Sequence, residues 1–168
     1  MRGRLSYWLE SLFPNLAPSA YTVTSRRDGK YNCVAWAAKE DTYLWWEPIR
    51  EPGCFWPEEL PMDYAFENYV KVFELFGYRR CVDSSLKSGF EKVAVYQCAD
   101  GSFGHVARQV SSGAWTSKLG PHEDIEHSTL SDLDCDDYGI PTVYLERRVP
   151  IWRKLTKPLR SILSRLRR

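Results

Sequence analysis

The feature that most restricts the fold of this chain is a series of strand-like segments between Tyr78 and Arg147. β-Branched and aromatic residues are frequent in them, and several alternate apolar with polar residues. Asp100-Gly101 and Ser112-Gly113 supply turns between successive segments. Because links this short join antiparallel neighbours, we expect a meander. The predicted strands are residues 78–82, 91–98, 103–110, 114–119 and 142–147.

Helical patterns precede these strands. Apolar residues spaced by three and four predict a helix over residues 5–16 that ends near Pro14. A second helix should begin at Asn32, a residue type that favours the N-cap, and continue through the alanines to Lys39. Residues 62–76 carry the most regular helical pattern, and Gly77 marks its end. Helices followed by strands indicate an α+β fold in which N-terminal helices pack on an antiparallel β-meander.

The segment 44–61, LWWEPIREPGCFWPEELP, combines prolines with aromatic rings. Four prolines and a glycine disfavour regular structure, whereas the rings favour burial. We therefore expect a long packed loop. Core packing is the commoner role of its tryptophans, but rings beside a cleft also stack on ligands, so the loop is a candidate for one wall of a groove.

The charge of the chain is unevenly distributed. A chain of 168 residues fits one compact domain, and its net charge is +1. Nine of its 23 Lys and Arg residues, and none of its 22 acidic residues, fall within 147–168. The other 14 basic and 22 acidic residues give the body a charge of about −8. We divide the chain into an N-terminal helix and lead-in (1–30), an α+β domain (31–146) and a basic tail (147–168).

The tail has the pattern of a basic amphipathic helix that Pro158 interrupts. Its charge predicts an anionic partner, namely a membrane surface, a nucleic acid or an acidic protein, and docking onto the acidic body fits the charges equally well. No apolar stretch reaches the roughly 18 residues of a membrane span, and no secretory signal is evident. We expect a cytoplasmic protein, or an effector delivered without a signal peptide, with peripheral membrane association through the tail.

The five cysteines are odd in number and include no Cys-x-x-Cys pair, which favours a reducing compartment over a disulfide framework. His122, His127 and Cys135 lie close in sequence but lack the ligand spacing of a zinc site. The sequence therefore predicts neither a metal nor another cofactor.

Cys33 is the candidate nucleophile. It falls in the first turn of the second predicted helix, where free backbone N–H groups and the helix dipole lower the pKa of a thiol. The other four cysteines fall in predicted strands or loops and fit the role of small apolar residues. Asn32 and the N–H of Cys33 lie where an oxyanion would be held.

His105 is the candidate base, because it starts an apolar strand and follows Gly104, which leaves space beside it. A three-residue turn after Val110 would put Ser117 on the face of His105, whereas a two-residue turn would put Thr116 and Lys118 there. Asp124, in a predicted loop, is the chemically better group to orient the imidazole.

The sequence NCVAWA, followed some 70 residues later by GHVA, resembles the papain-like amidohydrolases and peptidases, especially the CHAP and NlpC-type branches. The resemblance implies a papain-like fold, with Cys33 as nucleophile, His105 as base and a polar residue on or after the next strand as orienter. At that third position this chain has Thr116-Ser117-Lys118. The implied activity is that of a thiol-dependent amide hydrolase or acyl transferase, that is a peptidase, amidase or deamidase.

The motifs YNCVAWA, GFEKVAVY, HVARQ, WTSKLG and DIEH are similar to a family of bacterial proteins of unknown function, over about residues 31–144. This resemblance implies that the polar and aromatic residues of these motifs belong to the same site or support it. They are Arg108, Gln109, Trp115, Ser117, Lys118, Asp124 and His127. The candidates for contact with a peptide or amide substrate are Asn32, Trp36, Gln109, Trp115 and Lys118.

The rival hypothesis is a domain without catalysis. In it, a papain-like scaffold serves as a binding or adaptor domain, and the tail binds a membrane surface, nucleic acid or acidic protein. The two hypotheses differ in whether folding brings Cys33 and His105 together.

Overall fold

The computed structural model describes residues 4–16, 21–39 and 44–149. These residues form an α+β fold, as the sequence predicts. Its helices are α1 (Arg4–Leu12), α2 (Cys33–Ala37) and α3 (Phe66–Leu75), with short 3-10 helices at Pro14–Leu16 and Leu130–Leu133.

The strands form one large antiparallel sheet and one very small parallel pair. The large sheet has the order β1-β8-β7-β6-β5-β9-β4, and β2 pairs with β3. The strands are β1 (Tyr21–Val23), β2 (Trp45–Trp46), β3 (Cys54–Phe55), β4 (Arg79–Cys81), β5 (Phe90–Gln97), β6 (Phe103–Gln109), β7 (Trp115–Lys118), β8 (Asp124–His127) and β9 (Ile140–Arg148).

Two parts of the sheet were not expected from the sequence. The segment 124–127 is strand β8 and not a loop, although Ile125 is its only apolar residue. Tyr21–Val23, in a polar and turn-rich segment, forms β1 beside it. Hydrogen bonds to β7 on one side and β1 on the other stabilise β8, and such pairing is invisible to a local propensity argument.

The meander is confirmed for β5 to β8, but β9 departs from it. This strand returns across the sheet and lies between β5 and β4. Helix α3 also begins later than predicted, at Phe66. Before it, the Asp63 carboxylate accepts hydrogen bonds from the Ala65 N–H and the Asn68 side chain, which holds the chain in a turn.

Each face of the large sheet carries its own hydrophobic core. We call the side covered by α2 and α3 the α2 face; it includes Val95 and Val106. We call the opposite side, covered by α1 and the 3-10 helices, the α1 face; it includes Tyr96 and Ala107. Since Leu9 of α1 is fully buried, the lead-in 1–30 contributes to the core of the domain.

The turn between β5 and β6 is closed by backbone from the segment before β9. A Cβ on Gly104 would lie 2.1 Å from the Tyr138 carbonyl oxygen, and one on Gly139 would lie 2.0 Å from the Gln97 oxygen. The space that Gly104 provides is therefore filled by the protein's own backbone, so the predicted open space beside His105 is absent.

Strand β9 extends through Arg148, so Arg147 and Arg148, the first residues of the predicted tail, belong to the sheet. The rest of the predicted tail helix, from residue 150, lies outside the described residues. Within the described ranges, the helices are too short and too polar to cross a lipid bilayer.

Candidate functional site

Helix α2 begins where the sequence predicts, with Asn32 as its N-cap. The Asn32 side-chain oxygen accepts from the Ala35 N–H at 3.1 Å and from the Trp46 N–H at 3.2 Å. Its amide nitrogen donates to the Trp46 carbonyl at 3.1 Å. Asn32 is buried and joins α2 to the proline-rich loop, which is a structural role. Its role in substrate binding stays a prediction.

Cys33 is the first residue of α2, as predicted, and its side chain is partly buried. The sulfur lies against the core of the α2 face. Desolvation by burial raises the pKa of Cys33 to about 12, although hydrogen bonding from the backbone at Val106 favours the thiolate and partly opposes this. The thiol is therefore protonated at neutral pH, contrary to what the helix position alone predicts.

His105 is 1% exposed and lies among aromatic rings. Its imidazole stacks on Tyr138, with ring centres 4.3 Å apart, and meets the edge of Tyr96 at 5.4 Å. Within the described part of the chain, its Nε2 atom has no hydrogen-bond partner. Burial, with a smaller contribution from His127, holds the pKa of His105 well below its usual value.

The side chain of His105 and helix α2 lie against opposite faces of β6. Val106 and Arg108 belong to the α2 face, where Val106 packs in the same core as Cys33 and Arg108 donates to the Trp36 carbonyl at 2.7 Å. His105 and Ala107 alternate with them and point to the α1 face. The structure therefore does not form the predicted Cys33–His105 dyad.

A bulge at Gly104 accounts for this orientation. Tyr96 pairs with His105 and Gln97 with Phe103, so Gly104 is the extra residue of β6. Phe103 stacks on Tyr69 of α3, with ring centres 3.7 Å apart, and thus lies on the α2 face. Without the bulge, His105 would share the face of Phe103; with it, the imidazole points away from Cys33.

The other candidate catalytic residues divide between the same two faces. Gln109 pairs with Trp115, which corresponds to the three-residue turn, one of the two predicted alternatives. This register puts Ser117 on the α1 face. Asp124 pairs with Lys118, on the α2 face. The predicted set of Cys33, His105, Asp124 and Ser117 is therefore separated by the sheet into two pairs.

On the α1 face, Ser117 hydrogen-bonds with His127. Nε2 of His127 lies 3.0 Å from the Ser117 hydroxyl, and Nδ1 lies 2.7 Å from the Thr129 carbonyl. Since a carbonyl only accepts, Nδ1 carries the proton and Nε2 accepts from Ser117. Asp132 is 4.0 Å from Nδ1. This arrangement is like that of a serine hydrolase, but Ser117 has no exposed surface.

On the α2 face, Asp124, Tyr31 and Lys118 form a buried cluster. The Tyr31 hydroxyl donates to Asp124 at 2.8 Å, and the Lys118 ammonium lies 3.7 Å from the same carboxylate. Lys118 also lies over the Tyr31 ring and donates to the His122 carbonyl. Burial raises the pKa of Asp124 and lowers that of Lys118, while each charge opposes the shift of the other.

The remaining candidate residues also have partners within the protein. Trp36 stacks on Tyr31 and lies beneath the Arg108 guanidinium, at 4.2 Å. Gln109 donates to the carbonyls of Ser84 and Gly113, and Trp115 is buried in the α1-face core. Their expected contact with a substrate is not supported, because these contacts join elements of the fold.

An open groove lies elsewhere, between the proline-rich loop and the C-terminal end of α3. Its volume is about 740 Å³. Its apolar lining residues include Phe55, Trp56, Leu60, Met62, Leu75 and Phe76. Leu75 is 50%, Met62 42% and Phe76 39% exposed. The proline-rich loop was predicted as one wall of a groove, whereas the contribution of α3 was not predicted. Leu75 and Phe76, the apolar pair before Gly77, were the available signal for it.

The charged residues of the groove are mainly acidic. Glu58 and Glu59 are exposed on its lining, and Arg50 is the basic residue among the lining side chains described. Glu47 and Glu51 lie near Cys54, where burial and these two carboxylates raise the pKa of the thiol. Burial raises the pKa of Glu47, and the nearby Glu51 carboxylate raises it further. A cation would relieve this repulsion.

Comparison with known proteins gives one match. A family model described as "Domain of unknown function (DUF7689)" covers residues 22–146, from β1 into β9. No curated protein and no solved structure matches the chain.

Proposed function

The chain belongs to the DUF7689 family, and we propose that it is a binding domain that holds a cationic amphipathic peptide in the groove beside α3. The observation that carries this proposal is that exposed apolar surface and acidic groups line the same groove. Monomeric proteins bury most such surface, and exposed apolar patches with a polar rim are typical of interaction sites.

The aromatic residues under the groove give it a fixed shape. Trp46 contacts Phe55 and Phe76, with ring centres 4.7 and 5.1 Å apart. The Trp56 indole donates to the Pro61 carbonyl at 2.9 Å. These contacts hold the loop in one conformation against the end of α3. The loop therefore loses little conformational entropy when a ligand binds.

The chemistry of the groove selects the class of ligand. Its apolar floor matches the apolar side of an amphipathic segment, and Glu58 and Glu59 match lysine or arginine at the edge. An acidic segment would place like charges together. The proposal shares with the rival hypothesis a binding domain without catalysis. It differs in the binding surface, which is the groove here and was the basic tail in that hypothesis.

The papain-like fold and the hydrolase activity that the resemblance implies remain predictions. The implied nucleophile position, Cys33 at the start of a helix, is present. The base lacks contact with it, since His105 points to the other face of the sheet. In our proposal both residues are structural: Cys33 fills space in the α2-face core, and His105 packs between Tyr96 and Tyr138.

The test uses a labelled 18-residue peptide of leucine and lysine, designed as an amphipathic helix. The chain's own tail has similar chemistry and could compete with the peptide. The test therefore uses a variant of the whole chain in which the apolar residues of the tail are replaced. In this tail-serine variant, six residues are replaced with serine: Trp152, Leu155, Leu159, Ile162, Leu163 and Leu166. Binding is measured by fluorescence anisotropy at two salt concentrations.

We expect the peptide to bind the tail-serine variant more weakly at the higher salt concentration. Binding should be lost when Glu58→Lys and Glu59→Lys are introduced into that variant. The matched control is Asp136→Lys with Asp137→Lys, another adjacent exposed acidic pair, which lies before β9 and outside the groove lining. If the peptide does not bind, or if both pairs of substitutions weaken it equally, the groove is not its site and the proposal is wrong.

A further inference from the structure

The end of the sheet lies beside the groove. Arg147 of β9 donates to the Phe76 carbonyl at 2.8 Å, and Phe76 lines the groove. The Arg147 guanidinium also lies 4.4 Å from the centre of the Tyr78 ring and donates to Glu91 at 2.8 Å. Two residues later, the Val149 N–H donates to Gly89 at 2.8 Å. The chain that follows therefore starts close to the groove.

The 19 residues that follow, 150–168, have the chemistry that the groove selects. They contain seven Lys or Arg residues and no acidic residue. The six apolar residues replaced in the tail-serine variant recur at near-helical spacing. Nineteen residues reach about 28 Å if all are helical and further if they are extended. The groove starts one Arg147 side chain away from β9.

We propose that the occupant of the groove in the free protein is this chain's own tail, residues 150–168. The proposal rests on the proposed function and names the ligand. Tethering favours the tail over a free peptide, because the attached segment is at a high effective concentration. A partner that binds the tail, or a competing cationic segment, then has to displace the tail from the groove.

The first test measures the reactivity of Cys54, whose side chain lines the groove. Alkylation by iodoacetamide is followed by site-resolved mass spectrometry in the wild-type chain and in the tail-serine variant. Cys54 should react several-fold faster in the variant than in the wild-type chain, and high salt should raise its rate in the wild-type chain. The control thiol, Cys98, directly follows β5 and should react at the same rate in every case. Equal Cys54 rates in the two proteins would overturn the proposal.

The second test locates the tail directly. A carbodiimide that joins amines to carboxylates should link Lys154 or Lys157 to Glu58 or Glu59 in the wild-type chain. A mixture of ¹⁴N- and ¹⁵N-labelled protein separates links within one chain from links between two. Links confined to pairs of copies would show docking in trans and overturn the proposal, as would the absence of links to the groove.

A rescue experiment separates failure of this inference from failure of the proposed function. Synthetic peptide 150–168 should restore protection of Cys54 in the tail-serine variant. If only the leucine-lysine peptide protects, the groove binds cationic peptides but the tail is not its ligand. If neither peptide protects Cys54, the proposed function is wrong as well. If the wild-type chain binds phosphatidylglycerol vesicles while Cys54 rates match in both proteins, the tail is a membrane anchor, which also overturns the inference.

Discussion

The Ser117 hydroxyl donates a hydrogen bond to Nε2 of His127 across 3.0 Å, at a place where Ser117 has no exposed surface. The two residues come from neighbouring strands, β7 and β8. The imidazole is neutral there, because burial lowers the pKa of His127, and the backbone at Thr129 and Asp132 oppose that shift only in part. Removal of either group would leave a buried polar atom without its partner.

Ser117→Ala should therefore lower the free energy of unfolding by about 1–3 kcal/mol, the usual cost of a buried group left unsatisfied. Urea unfolding at pH 7 measures this difference. Ser88→Ala, at an exposed serine, is the matched control and should change stability by less than about 0.5 kcal/mol. Equal effects of the two substitutions would show that the Ser117–His127 contact contributes nothing to stability.

The stability of the protein should fall as the pH drops from 7 to 5. Burial depresses the pKa of both His105 and His127 in the folded state, so between those pKa values and the ordinary value near 6.5 the unfolded chain binds more protons. Stability therefore rises with pH in this range. Urea midpoints at several pH values measure the trend, and a midpoint that stays constant or rises towards pH 5 contradicts it.

Cys33 should react slowly with iodoacetamide. A thiol whose pKa is about 12 holds far less thiolate at pH 7 than one with the ordinary value, so alkylation should be at least about 100-fold slower than for the same thiol in the urea-unfolded chain. Site-resolved mass spectrometry gives both rates. If Cys33 is instead the fastest thiol at pH 6 and His105→Ala removes that reactivity, the hydrolase hypothesis is restored.

Gly104→Ala should destabilise the fold severely, by about 3 kcal/mol or more, because its Cβ would overlap the Tyr138 carbonyl, which is backbone and cannot rotate away. Gly29→Ala is the matched control, since its Cβ would meet Pro121 at an ordinary 3.8 Å. Thermal unfolding of both variants provides the comparison. If the Gly104→Ala protein has the melting temperature of the wild type, the 135–139 segment does not pack against Gly104.

Local structure was the part most readily predicted from the sequence. The Asn32 cap, the start of α2 at Cys33 and the end of α3 before Gly77 all depend on interactions within a few residues. The predicted strands were confirmed with small shifts of their ends. Strand β8 was missed because its stability comes from two neighbours and not from its own residues.

The candidate site was predicted less well. Cys33 and His105 each have the local setting that the motif implies, one at a helix start and the other near the start of a strand. Whether they meet depends on one extra residue, Gly104, which changes the face to which His105 points. A pattern of residue types does not reveal such a bulge.

The sequence by itself determined which segments are helical or extended, where the charges lie and which side chains are available for chemistry, because propensity, capping and composition are short-range properties. Tertiary structure decided which of those side chains share a space. Strand register and the bulge separated Cys33 and Asp124 from His105 and Ser117, and the packing of the proline-rich loop on α3 created the groove. Side chains alternate between the two faces of a strand. A register shift of one residue therefore moves each side chain to the opposite face, where it meets different residues from distant parts of the sequence.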